Sequence, residues 1–458
     1  MKFDDIDVKE FFENDYTQYA MYDCSRKIVS YIDGLKIASR KVIHTCLQQN
    51  VKSLKLERLM AKSSEFCDYH HGVQSLFGVS VGLAQSFAGA NNLPLLTTEG
   101  NFGYRTSQKP SAPRYISTSC HGYLEYLFRK EDYPLLIEQK SEDDKLVIEP
   151  RYYVPTIPLV LINGSTGPGI GFAQKIFPRD PDKIIKYLEN RLQGIKPSYD
   201  FMPYFRGFKG KVVHMGKSDD GNNKYEFRGR ITRKNTTTLI ISELPISTKL
   251  TKYNSFLADL EEKGIIKDFT DFSNENIFRY EVKVTREFTN NHTDQQLLEI
   301  FKLIDKETEN ITCNDEKLSI IEFKTPQELI ERFIKIKLYY MKKRKTNMMK
   351  DIIKEIKILK YKIIFIKLVV GNKLKIMNRK TSDIVADIEK VEQIEKVEGS
   401  YDYLMNMSIS SITVERQAKM KKDIFKKKAD LDVMKEISIQ QMWLDDLKEL
   451  KSKMYISC

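Results

Sequence analysis

From Pro326 onward the chain reads as something no ordinary compact domain can contain. Residues 327–370 keep a helical pattern without interruption. Ile352, Ile356, Leu359, Ile363, Ile366 and Val370 alternate spacings of four and three, the seam of a heptad repeat. Such a helix reaches roughly 65 Å at about 1.5 Å per residue. Gly371 stops it, residues 373–412 read as a small cap, and residues 413–452 return as a second helix with Leu431, Met434, Met442, Leu444, Leu447 and Leu450 on its apolar side. The pattern predicts a long antiparallel helical hairpin whose tip is a natural dimer contact. The charge sits in the same place. Of 75 Lys+Arg and 63 Asp+Glu, residues 331–380 hold 17 and 3, which leaves 58 against 60 for everything else. A basic stripe suits a polyanion and equally a solvated face of paired helices.

Length and composition bound the rest. A chain of 458 residues holds two to four domains, and 41% hydrophobic residues suffice for real cores. The cysteines Cys24, Cys46, Cys67, Cys120, Cys313 and Cys458 form no CxxC and no metal-finger spacing. With no secretory n-region and no apolar run of membrane length, this predicts reduced thiols in a cytoplasmic protein with no membrane contact. Residues 363–370 are apolar but broken by Lys367 and too short to span. Gly216-Lys217-Ser218 fails as a phosphate loop. Gly210 lies one residue too far upstream, and Asp219-Asp220-Gly221-Asn222 stands where a helix must begin. ATP is therefore not expected to bind here. Glu142-Asp143-Asp144 reads as a solvated turn, and Asp5 with Asp7 as a helix start; neither is expected to hold metal.

Residues 1–130 read as mostly helical. The turn Asp33-Gly34-Leu35-Lys36 leads into a helix that opens with Arg40-Lys41-Val42-Ile43, and a second helix runs from about Leu54 to Cys67 with Lys55, Arg58 and Lys62. Two short helices, the second basic, suit a helix-turn-helix whose second helix enters a major groove. Arg26, Lys36, Arg40, Lys41 and Arg58 are candidate phosphate contacts, though each alone is better explained as a solvated cation. Tyr69-His70-His71-Gly72 follows; adjacent histidines do not share a helix face, so a helical zinc pair is not expected. Residues 121–131 look helical. Leu159–Ile162 reads as a buried strand, then Gly164, Gly167, Gly169 and Gly171 form a tight loop. Such a loop can cradle phosphate or push Pro168 or Ile170 between base pairs. From 178 to 320 an α/β pattern appears. Asp180 caps a helix that Pro181 starts and Gly194 ends. Strands are expected at Gly210–His214, Lys224–Thr232, Thr236–Ser242 and Ile277–Val284, and helices at 249–263 and 293–307.

The stretch with the most chemistry is Glu99–Ser119. Gly100 and Gly103 bracket Asn101 and Phe102; a loop with Arg105 and Lys109 but no acid follows, ending on Arg114-Tyr115. A phenol with a pKa of about 10 is a poor nucleophile at neutral pH. A neighbouring guanidinium favours both the phenolate and the charge that builds on an attacked phosphate. The dipeptide alone singles out nothing: the chain has 24 tyrosines, and Arg-Tyr recurs at Arg151-Tyr152 and Arg279-Tyr280.

Taken in order, these stretches resemble the DNA breakage–reunion (A-type) subunit of the type IIA DNA topoisomerases. The resemblance is carried by Asp33 to Lys36 with Arg40-Lys41-Val42, by the run Tyr69 to Leu76, and by Gly100-Asn101-Phe102-Gly103. It continues through Pro113-Arg114-Tyr115-Ile116, Ile162-Asn163-Gly164, Gly207-Phe208-Lys209-Gly210, Ser242-Glu243-Leu244-Pro245, and Ser408-Ile409 to Arg416. A stand-alone subunit of this length is most similar to the medium subunit of T4-type phage topoisomerases.

The resemblance implies a mixed α/β multidomain chain. Residues 1–150 would be a winged-helix breakage–reunion domain, 151–325 an α/β tower domain with the DNA-bending loop, and 326–458 an antiparallel coiled coil with a C-terminal dimer gate, its tip about 371–412. Tyr115 would attack a DNA phosphate to leave a 5′-phosphotyrosyl bond, with Arg114, Arg26 and His71 around that phosphate. Lys36, Arg40, Lys41, Arg58, Lys62, Arg105, Lys109, Pro168 and Ile170 would contact double-stranded DNA. Mg²⁺ and ATP would belong to a partner polypeptide carrying TOPRIM and ATPase domains. The chain would dimerise through its gate and its winged-helix domains. Two positions depart from the family pattern: Pro168 replaces the usual wedge isoleucine, and Val73 stands where relatives carry an acid. The alternatives are a catalytically inactive DNA-binding scaffold, a tyrosine recombinase, whose tyrosine lies near the C-terminus, and a purely structural coiled coil, which leaves residues 26–171 unexplained.

Overall fold

The computed structural model describes residues 7–140, 147–408 and 413–456; Asp5, Glu142-Asp143-Asp144, Ile409 and Cys458 lie outside them. The chain forms two compact units. One runs through Lys337 and takes in Leu444 onward, and the other is Leu338–Trp443.

The first unit begins with the helices Thr17–Lys27, Ile37–Gln48, Leu56–Phe66 and Ser75–Ala84. The turn at Asp33 organises them. Its buried carboxylate accepts from the Leu35 amide at 3.0 Å, from Arg40 Nε at 2.7 Å and Nη2 at 3.1 Å, and from the Tyr153 amide at 3.1 Å. Gly34, at φ +66°, lies so close to the next layer that a Cβ there would sit 2.5 Å from the Val160 nitrogen. No side chain fits at this approach.

Leu159–Ile162 is not a strand. It forms the helix Leu159–Asn163, with all four apolar residues fully buried. An apolar run buried on every side must satisfy its own backbone groups when no sheet edge lies beside it. A helical turn does so here, with the Gly164 amide donating to the Val160 carbonyl at 3.0 Å. The glycine-rich loop after it is a β-hairpin, Ser165–Gly169 against Phe172–Ile176, with Pro168 opposite Ala173. The expected 121–131 helix is one turn, Leu124–Leu127, followed by a 3₁₀ segment Lys130–Leu135 that contains Pro134.

Between 210 and 310 two antiparallel sheets form. One has the order Asp268–Asp271, Tyr280–Lys283, Thr238–Glu243, Arg230–Asn235; the other is Ile304–Thr308, Asn223–Arg228, Lys211–Lys217. The single strand expected over 224–232 is therefore two strands in different sheets. They part at Gly229, where a Cβ would sit 2.4 Å from the Glu243 carbonyl. The helix expected over 293–307 is Asp294–Ile300, started by a Thr293–Gln296 capping box. Lys302 adopts φ +49° and ends it, and the remainder pairs as a strand with Asn223–Arg228. Leu239, Ile241, Tyr253, Leu257, Tyr280, Val282 and Phe301 share one core.

The helix Pro326–Val370 is 45 residues long and continues from the first unit into the second. Along its seam Ile356, Ile363 and Ile366 are buried, while Val370 at the end is 52% exposed. Its return partner runs antiparallel, with Lys345 meeting Ile437, Glu355 meeting Lys427, and Ile363 packing with Met420. That partner is two helices, Val414–Glu436 and Ile439–Ile456, where one was expected. Ser438 caps the second by accepting from the Gln441 amide at 3.0 Å. Lys345 Nζ donates to the carbonyls of Lys435 at 2.8 Å and Ile437 at 2.7 Å, satisfying groups that the break leaves open. The segment between the two arms has its own core of Phe365, Leu374, Ile384, Ile388, Ile394 and Leu404. Among the described residues no helix is long and apolar enough to cross a membrane.

Candidate functional site

Tyr115 sits on a turn that the backbone pins from both sides. Its amide donates to the Ala112 carbonyl at 2.9 Å. The first residues of the Leu56–Phe66 helix reach back to it: Leu56 N–H to the Ile116 carbonyl at 3.0 Å and Glu57 N–H to the Pro113 carbonyl at 3.3 Å. Just beyond, Ser117 and Glu99 exchange both backbone bonds, and Thr118 pairs with Leu54. Ile116 is buried as an anchor, while Tyr115 is 68% exposed. The Arg114 guanidinium lies 5.6 Å from the centre of the Tyr115 ring. Gly103, at φ +92°, lets the loop close on itself; a Cβ there would sit 2.6 Å from the Gln108 carbonyl.

A second cluster involves Arg26 and His71. Tyr22 OH lies 3.3 Å from His71 Nε2, Arg26 Nη1 donates to the same hydroxyl at 3.5 Å, and the guanidinium sits 5.4 Å from the Tyr22 ring centre. These residues, with His70, Glu149 and Arg151, line a cavity of about 440 Å³. Tyr115 and Arg114 do not line it. Sequence reasoning missed Tyr22; its place one helical turn before Arg26 was the available signal.

Three expected DNA contacts are not surface cations. Arg40 is buried against Asp33. Lys41 is buried with Nζ 2.9 Å from Glu149 and 2.7 Å from the Cys67 carbonyl. Arg105 is buried, with Nη2 donating to the Leu244 and Pro245 carbonyls at 3.4 and 3.2 Å and lying 3.7 Å from Glu243. Each brings its charge to an internal acid because a buried cation without one is costly. Lys36 is half-buried, its pKa lowered by that burial, and donates to the Thr166 carbonyl at 3.0 Å. It braces the Ser165–Ile176 hairpin. Arg58, Lys62 and Lys109 are exposed. Pro168 is exposed on its strand, and Ile170 is half-buried in the hairpin turn. Phe172 beside them, 41% exposed, was not singled out from sequence. Among the described residues no group of three or more histidines, cysteines or carboxylates could hold a metal.

Tyr115 is thus an exposed phenol beside a guanidinium, on a turn tied to a helix. Comparison with known proteins gives the chain a family. The family of DNA gyrase/topoisomerase IV A subunits matches residues 26–448. The chain belongs to it. The mitochondrial DNA topoisomerase 2 of Dictyostelium discoideum is 31% identical over 98% of this chain and 35% of its own length. The DNA topoisomerase 2 of Invertebrate iridescent virus 6 is 30% identical over 97% of this chain and 39% of its own length. The chain thus spans little more than a third of these curated relatives. Among solved structures, the DNA-binding, cleavage and re-ligation domain of Plasmodium falciparum topoisomerase II superposes with a TM-score of 0.88 at 28% identity, covering 98% of this chain and 64% of that one. The mixed α/β fold is therefore that of a type IIA breakage–reunion region.

Proposed function

We propose that this chain cuts and rejoins double-stranded DNA as the breakage–reunion part of a type IIA topoisomerase, opening a transient gate through which a second duplex passes. The observation that carries this is Tyr115: an exposed phenol with Arg114 beside it, on a turn fixed to the start of a helix. The Tyr115 oxygen attacks a backbone phosphorus. The phenol gives up its proton as the new O–P bond forms, the P–O3′ bond breaks, the leaving 3′-oxygen takes up a proton, and a 5′-phosphotyrosyl bond holds the break, with no net change in protons. Because one phosphoester replaces another, resealing is the same exchange run backwards. Arg114 stabilises the charge on the phosphorane. Arg26 and His71 bind the attacked strand at their own cavity, and the DNA joins the two clusters.

In this reading residues 1–150 act as a winged-helix domain and 151–325 as the tower. The segment 326–458 acts as a coiled coil with a dimer gate, so that two copies present two tyrosines to one duplex. Arg58, Lys62 and Lys109 contact phosphates, and Lys36 steadies the hairpin whose Pro168, Ile170 and Phe172 press into the duplex and bend it. The described residues hold no cluster that fits Mg²⁺. The metal-binding TOPRIM acids and the ATPase are assigned to a partner polypeptide, and the complex to the cytoplasm.

The test is to reconstitute the complex with a polypeptide carrying those two activities, denature it during turnover, digest the DNA and locate the nucleotide adduct by mass spectrometry. The expected adduct is on Tyr115. An adduct on another residue, or none, overturns the proposal. The chain alone with Mg²⁺ is expected to bind DNA weakly, with affinity falling steeply in salt, and not to cut it.

A further inference from the structure

The cavity of about 440 Å³ beside the Thr17–Lys27 helix carries positive charge that its own walls do not neutralise. Of its three acids, Asp23 is paired with Lys27 at 2.7 Å and Glu149 with Lys41 at 2.9 Å, while Asp68 lies 3.2 Å from His70; against these three the wall holds five cations, Arg26, Lys27, Arg40, Lys41 and Arg151. Arg40, also in the wall, is bound to Asp33. Two guanidiniums remain. Arg26 engages the ring and hydroxyl of Tyr22. Arg151 pairs with no carboxylate among the described residues, and its Nε–H is sealed from water without an acceptor. Arg105, Arg129 and Arg179 also have such an Nε, but each offers another nitrogen to a carboxylate. The base of Arg151 is fixed: its amide donates to the Ile137 carbonyl at 2.9 Å, and the preceding Pro150 pairs with Glu138.

The sealed Nε is out of reach of any ligand, so what Arg151 offers the cavity is the rest of its guanidinium, which no carboxylate among the described residues neutralises and whose planar fork matches two oxygens of one phosphate. We infer that Arg151 is a phosphate-binding, positioning residue which, together with Arg26, clamps a backbone phosphodiester of the DNA strand in this cavity. This rests on the function proposed above and adds a residue to it. Arg151 holds the strand and takes no part in bond exchange.

The experiment measures binding of a labelled duplex to the full chain by fluorescence anisotropy from 50 to 200 mM KCl, for wild type, Arg151→Ala and Arg151→Lys, with urea melts confirming that each is folded. Losing one phosphate contact lowers the log–log salt slope by about 0.9, so wild type should lose about 3.5-fold more affinity over this range than Arg151→Ala. Arg151→Lys should keep the slope and bind more weakly, because a point charge replaces the fork. An unchanged slope in a folded Arg151→Ala overturns the inference and leaves the proposed function standing. A wild type that binds no duplex at 50 mM KCl overturns both. Thermal melts in inorganic phosphate separate the sources. Protection lost in Arg151→Ala while the DNA slope stays unchanged would make this a site for free anion, against the strand clamp.

Discussion

Two regions of this molecule contain the same dipeptide and use it in opposite ways. At Arg114-Tyr115 the backbone turn is anchored by Ile116, and the tyrosine stands in solvent. At Arg279-Tyr280 the dipeptide enters a strand at the middle of a four-stranded sheet. Tyr280 is fully buried, its hydroxyl donates to Asn254 Oδ1 at 2.5 Å, and burial, with Asp271 nearby, pushes its pKa well up. A buried phenol that is hard to ionise is a packing residue. An exposed one beside a guanidinium gives up that packing and stays open to a ligand. The lesson is that the backbone decides: a loop presents its tyrosine, and a central strand consumes it.

The sharpest way to break this contrast is to remove each hydroxyl. Tyr115→Phe should abolish adduct formation and DNA relaxation in the reconstituted complex while leaving the urea midpoint of the chain unchanged. Tyr280→Phe should do the reverse, keeping the adduct and losing about 1 kcal/mol for the broken hydrogen bond. If Tyr115→Phe retained relaxation, the chain would be a scaffold and the contrast between the two tyrosines would carry no function.

The arginines extend the comparison. Arg114 is exposed beside its tyrosine, whereas Arg40 is buried against Asp33. Arg114→Ala should lower the rate of adduct formation by about 10²–10³ with little change in stability, as for removal of one group that stabilises a transition-state charge. Asp33→Ala strands Arg40 in the interior and should cost about 3–5 kcal/mol in a urea melt. It also withdraws the acceptor of the Tyr153 amide.

This pair marks what sequence could and could not reveal. The exposed turn at Arg114-Tyr115 was legible because glycines, prolines and an acid-free loop surround it, whereas the choice of Tyr115 among 24 tyrosines came from the family resemblance and from no local signal. The helix Pro181–Leu192 was legible, like the turn, from its local residues, with the Asp180 carboxylate accepting from the Asp182 amide at 2.9 Å. Arg40 and Lys41 looked like surface cations because their acids are not local in the pattern. Asp33 lies across a turn, and Glu149 is 108 residues away. Leu159–Ile162 was misread because four apolar residues have no period, so only their surroundings choose between helix and strand. The break at Ser438 was hidden because buried apolar residues continue after it at Met442, Leu447 and Leu450, and Lys345 closes the gap from the opposite arm.

The smallest expected effect tests burial against exposure through pH. His44 Nδ1 is 2.6 Å from Tyr153 OH, and burial, helped by the Lys41 charge, pushes the imidazole pKa down from its ordinary 6.5 to about 4. Tyr153 is itself buried and its pKa raised, so neither partner readily ionises in the folded chain. Between pH 6.5 and about 4 the unfolded chain takes up a proton on His44 that the folded chain refuses. Stability from this group is therefore present above pH 6.5 and lost as pH falls toward 4, after which it changes no further. His44→Gln can keep a hydrogen bond to Tyr153 and cannot titrate. Its urea midpoint should match wild type near pH 8 and exceed it near pH 4.5. Equal pH slopes for the two proteins would mean that His44 is solvated, placing it with the open side chains of the Tyr115 turn and not with the closed interior.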